Sequence, residues 1–187
     1  TTMTYKTIKD PIRVENQDTV KFTIRIYNEG TQDGYASLIR NEISESLEYL
    51  PESEINKKYG WIYVDEENQP VQDMSKAKYL ATDYLSKAKE KNKEDNLIKY
   101  FNSKTMTKPE YKDVEIEFRL KENVPQNRII INKAEIAEDT DSSGNPVDDQ
   151  DSASSKWTDG EDDQDIEQLY EKYFDLAIKL NIQNIST

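Results

Sequence analysis

Two stretches of this chain leave few folds open. In TVKFTIRIYN, Val20, Phe22, Ile24 and Ile26 alternate with Lys21, Thr23 and Arg25, and in KDVEIEFRLK, Val114, Ile116, Phe118 and Leu120 alternate with Glu115, Glu117, Arg119 and Lys121. Successive side chains of an extended backbone point to opposite faces, so each stretch is expected to be a strand with one apolar and one wet face. Such strands pair antiparallel and bury their apolar faces against a second layer, which predicts a mainly β sandwich. A third segment, RIIINKAEI, sets Ile130, Asn132, Ala134 and Ile136 on one side. Asn132 thus shares a face with apolar residues, and its amide needs hydrogen-bond partners inside the protein.

Turn residues divide these strands, NEGTQDG at 28–34 and VPQNR at 124–128, and hairpin or Greek-key connections fit their lengths. Between them the pattern changes to a stretch rich in Lys, Glu and Tyr. We read it as an insertion of about 45–109 within a single domain covering 1–187, partly helical and able to form a small lobe of its own. Inside it, GWIYV at 60–64 is expected as a short strand, Asn96 to Phe101 as a short helix, and Tyr79 to Leu85 as strand or helix. The segment IEQLYEKYFDLAIKL satisfies both periods, so 166–187 is left as strand or linker.

The formal charge of −13 lies in one place. Ala134 to Glu171 holds fourteen Asp and Glu against the single Lys156, and the rest of the chain balances. An acidic chain without clustered Lys and Arg is a poor ligand for nucleic acid or anionic lipid. With neither Cys nor His, disulfides, thiolate or imidazole metal sites, cysteine nucleophiles and His-based triads are excluded. No apolar run is long enough to span a membrane, the opening TTMTYKTIKD lacks an apolar signal core, and the sequence reads as a piece of a longer protein.

Within the acidic run, carboxylates alternate with Gly, Pro, Ser and Asn, the residues that build oxygen-lined turns around a hard cation. Asp139-Thr140-Asp141-Ser142-Ser143-Gly144 has the opening pattern of an EF-hand loop, but its twelfth position is Gln150 rather than Glu, and no helix pair brackets it. A calcium site is expected in an acidic loop at 137–165, with Asp139, Asp141, Asp148, Asp149 and Asp151 as one ligand set and Glu161, Asp162 and Asp163 closing from the next segment. The plain alternative is a solvated acidic loop. Paired carboxylates also serve glycoside hydrolases, but these acids lie in a Ser/Gly-rich loop rather than an apolar pocket that would raise a pKa. Asn132 admits two readings. It is either an amide pinned by its neighbours, or one condensed with a lysine into an isopeptide bond with loss of ammonia; no lysine on the apolar face of a convincing first strand precedes it.

Taken in order, IYNEGTQDGYAS, NKAEIAED and SSGNPVDDQDS followed by GEDDQD resemble the conserved-repeat, fimbrial isopeptide-type modules of Gram-positive cell-surface proteins. The resemblance runs over nearly the whole chain, with Asn132-Lys133-Ala134 standing where such modules carry NxA. It implies an immunoglobulin-like antiparallel β-sandwich, neighbouring repeats of the same protein as partners, and an extracellular place on the cell wall. It also implies a non-enzymatic role as stalk or spacer, or as an adhesin for a host protein or glycan. KYFDLAIK resembles the link into a following repeat, to which Lys179 would then belong.

Overall fold

The computed structural model describes residues 11–122, 124, 129–147 and 164–171. Their chain order is β1 (Ile12–Val14), β2 (Thr19–Tyr27), β3 (Gly34–Glu42), β4 (Leu47–Tyr49), α1 (Glu54–Tyr59), β5 (Ile62–Val64), β6 (Tyr79–Thr82), β7 (Tyr111–Leu120), β8 (Ile129–Asp141) and β9 (Gln164–Glu171). Short 3-10 turns at Met74–Lys76 and Lys87–Lys89 complete the set. The strands form a six-stranded sheet in the order β1-β9-β8-β3-β6-β5 and a three-stranded sheet in the order β2-β7-β4.

The two alternating segments that predict strands pair with each other. β2 and β7 run antiparallel from Thr19↔Arg119 to Tyr27↔Tyr111, so Phe22 meets Ile116 and Val20 meets Phe118 on the apolar face. On the wet face Lys21 bonds Glu115 at 2.6 Å, and Arg25 grips Asp113 with two bonds of 2.9 Å. Phe22, Ile26, Val114, Ile116, Phe118 and Leu120 enter one core with Ile39, Leu80, Ile130 and Leu169 of the larger sheet. Burying a side chain of that size stabilises by about 1.5–3 kcal/mol, so the alternation itself drives the two layers together.

The segment expected as an insertion supplies strands to both sheets: β4 pairs with β7, and β6 joins β3 to β5. Asn96 to Phe101 is not a helix. Ile98 instead forms a bridge with Gly34, exchanging backbone bonds of 3.2 and 2.8 Å, because Leu97 and Ile98 are drawn into the core as extended chain. Tyr79–Thr82 resolves as strand, and β9 settles the ambiguous C-terminal segment as strand at least to Glu171, where pairing on both sides outweighs its helical spacing.

The helix at 54–59 was not anticipated. Ser53 caps its first turn and Gly60, at φ 64°, closes its last. Its Asn56 is 1 % exposed and stands where β4 runs out: Nδ2 donates to the Leu50 and Glu117 carbonyls at 2.7 and 2.8 Å, and Oδ1 accepts the Glu117 N–H at 2.8 Å. One side chain therefore continues the β-ladder that β4 began. Trp61 extends the same seal, its indole N–H donating to the Glu115 carbonyl at 2.8 Å.

Candidate functional site

Of the eight residues expected to hold calcium, the described part of the chain contains two, Asp139 and Asp141; Asp148, Asp149, Asp151, Glu161, Asp162 and Asp163 lie outside the described residues. Asp139-Thr140-Asp141 is not a coiled ligand loop. All three residues lie in β8, paired with Ala36, Tyr35 and Gly34 of β3. An extended chain sends Asp139 and Asp141 to one face and Thr140 to the other, so they do not curl around a common point as the first positions of an EF-hand loop must.

Asp141 instead builds a hairpin turn. Its N–H donates to the Asn145 carbonyl and its carbonyl accepts from Gly144, both at 2.9 Å. Oδ1 accepts the N–H groups of Ser143 and Asn145 at 2.8 and 2.9 Å, and Oδ2 takes the Asn145 side-chain amide at 3.1 Å. Those donors, Asn145 foremost, hold the carboxyl below the ordinary aspartate value. Gly144 sits at φ 87°, the left-handed position that such a turn demands.

The same turn occurs a second time. Asp65 N–H donates to the Gln69 carbonyl at 3.0 Å, the Asp65 carbonyl accepts from Asn68 at 3.2 Å, and Asp65 Oδ1 accepts from Glu67 and Gln69 at 3.1 and 2.8 Å. Asn68, at φ 61°, takes the place of Gly144. In each case proline stands two residues further on, bridged back to the residue before the aspartate: Val64↔Pro70 and Thr140↔Pro146. DEENQPV and DSSGNPV are therefore two copies of one short turn sequence, legible in the chain once they are aligned. Asp141 has the role of Asp65, a turn-former, with two N–H donors on Oδ1 and one on Oδ2. Six of the eight expected calcium ligands lie outside the described residues, and Asp139 and Asp141 remain as the two on β8. Among the described residues no group of three or more acidic side chains is arranged to hold a metal.

The acidic turn is docked rather than free. Lys87 donates to the Ser142 carbonyl at 2.8 Å, and its methylenes lie so near Gly144 that a Cβ there would come within 3.1 Å of its Cδ. Tyr35, 3 % exposed, lies beneath the same lysine, with its ring centroid 6.0 Å from Nζ.

Neighbouring residues on the two faces of β3 are buried and polar. Asn132 finds its partner in Asn41: each Nδ2 donates to the other's Oδ1, at 2.8 and 2.9 Å, with exposures of 4 % and 0 %. The hydrogen-bonded reading of Asn132 thus has a concrete partner, one strand away. On the other face of β3, Arg40 is 1 % exposed and paired with Glu135 of β8. Its Nη1 donates to Asn68 of the first Asp turn at 2.9 Å, and its guanidinium stacks 4.0 Å from the Tyr79 ring centroid. Among the described residues, the carboxyls that depart from their ordinary pKa, Glu52, Asp73 and Asp141, move down, through Lys57, Ser75 and Asn145 respectively.

Compared with protein-family models, curated proteins and solved structures, the chain matches none.

Proposed function

We propose that this chain is a load-bearing spacer module, immunoglobulin-like in topology, of a bacterial surface protein. One observation carries the reading: β1 and β9 are neighbours and parallel, in register from Ile12↔Leu169 to Val14↔Glu171. The chain passes through both in the same direction, so tension applied through its two ends drags the strands in opposite senses along their ladder. All the hydrogen bonds of that ladder then resist together, whereas an antiparallel hairpin pulled from its open end yields one pair at a time. Leu169 and Val14 add core packing at the clamp. The topology supports the immunoglobulin-like reading as well, with β1 beside the last described strand on one sheet and β2 on the facing one.

Single-molecule stretching tests it. Held by its two ends, the protein is expected to rupture in one cooperative step at a force several times that found when it is held through a cysteine replacing Ile129 and the C-terminal end. Ile129 and Tyr170 are register partners, so the second geometry peels β8 from β9. Equal forces in the two geometries would remove the clamp and the spacer reading with it.

A further inference from the structure

The smaller sheet has two edges, and they are treated differently. Beyond β4, Asn56 and Trp61 occupy the outward backbone groups of Glu117 and Glu115. At the other edge, β2 offers nine residues of strand. The Leu120 N–H donates to the Asp18 carbonyl, which fixes the phase of the ladder. Val20, Phe22, Ile24 and Ile26 exchange bonds with β7, while the backbone groups of Thr19, Lys21, Thr23, Arg25 and Tyr27 point away from it. The anchoring of Glu115 and Glu117 on the far side of β7 agrees with that phase. Those five residues have no backbone partner across this edge among the described residues.

The sandwich is also open beside that edge. Ile12 pairs with Leu169 in β1, and Leu169 and Val14 both face the core, at 3 % and 5 % exposure. Ile12 has the parity of Val14, yet it is 58 % exposed. Val20 and Ile24 are likewise only partly buried against the core. A further strand beside β2 would cover all three.

We propose that the free edge of β2 is a strand-addition site for an extended peptide segment of another protein that alternates apolar with acidic side chains. Its backbone would pair with the five outward residues, its apolar face would close over Ile12, Val20 and Ile24, and its acids would meet Lys21 and Arg25. β7 shows this complementarity on the occupied side, where Glu115 and Asp113 each pair with one of the same two cations. A second copy of β2 fits poorly: two-fold pairing about Thr23 sets Lys21 opposite Arg25 in both directions, and like charges directly opposite destabilise. The edge is thus guarded against itself by the same side chains that suit an acidic partner.

The probe is a synthetic peptide of residues 111–120, YKDVEIEFRL, added to the full chain with backbone hydrogen exchange as readout. The amides of Lys21, Thr23 and Arg25 are expected to slow by about tenfold or more at saturating peptide. Thr23→Pro should abolish the effect without loss of fold, because the amide it removes bonds nothing in β7. Independently of any variant, a peptide N-methylated at alternate residues and one with its acids replaced by lysine should both fail. No protection, or equal protection by the lysine peptide, overturns the proposal. So does slow exchange at these amides in dilute protein alone, which would mean that the chain covers its own edge. Concentration-dependent dimerisation lost in Thr23→Pro would hand the edge to a second copy and likewise overturn it.

Discussion

Asn41 and Asn132 bond each other twice through their side-chain amides, inside the apolar layer between the sheets. Asn41 Nδ2 donates a further bond to the Glu42 carbonyl at 2.9 Å. Replacing either residue by leucine leaves the other amide buried with a bond missing, at a cost of about 1–3 kcal/mol. Replacing both should cost clearly less than the sum, because no orphan remains. Urea melts of the two single variants and the double variant measure the difference, and additive losses would contradict the pairing. The same geometry predicts an intact mass equal to that of the sequence, with no ammonia lost at Asn132.

Arg40 and Glu135 predict a larger effect. Arg40 is held on the outer face of β3 with almost no contact with water. Glu135→Ala strands its guanidinium beside Asn68 and the Tyr79 ring and should destabilise by about 3–5 kcal/mol, whereas Arg40→Met with Glu135→Leu should recover most of that loss. Equilibrium denaturation of the two variants distinguishes the outcomes.

The acidic turn should be sensitive to acid and indifferent to calcium at Asp141. Its folded-state pKa lies below the ordinary 3.8, so the turn's contribution is complete above that value and is lost as pH falls through the lower folded one. Amide shifts of Ser143 and Asn145 should report that titration. Added calcium should leave both amides where they are, and movement of either would mark Asp141 as a ligand. Gly144→Ala should lower the melting temperature, through the positive φ and the crowding against Lys87.

At the alkaline end Tyr35, Tyr49, Tyr63 and Tyr79 are all held above the ordinary value, Tyr35 and Tyr49 the furthest. Burial, helped by the hydrogen bond to Glu90, pushes Tyr35 up to about 12, and burial likewise pushes Tyr49 to about 12. Both are raised, so their stabilisation is whole below the ordinary value of 10.0 and drains away as pH climbs from there towards 12. Tyr35→Phe should flatten that part of the stability–pH curve, and an unchanged slope would count against the assignment.

The layered β architecture was legible because β2, β7 and β8 bury one face each, and alternation records that burial directly. The face of Asn132 was legible for the same reason, but its partner was not, since Asn41 lies 91 positions away. The helix at 54–59 escaped notice because its reason for existing is Asn56 reaching β7, a tertiary bond that leaves no periodicity in six residues. Leu97 and Ile98 looked helical from spacing alone, and the bridge to Gly34 overrode it. Of the candidate site, only Asp139 and Asp141 fall among the described residues. Asp-rich turns that bind cations and Asp-rich turns that cap their own backbone use the same residues, and the parallel between DEENQPV and DSSGNPV marks the capping role at Asp141. That parallel was present in the sequence all along.

The side chain of Asn56 gives the smaller sheet a direction of growth. An open-ended fibre needs two different surfaces on each subunit, one to offer and one to receive. Past the end of β4, Asn56 takes both backbone groups of Glu117, so that this stretch of β7 has nothing left to offer a further strand, and β2 is the long edge through which the sheet can take one on.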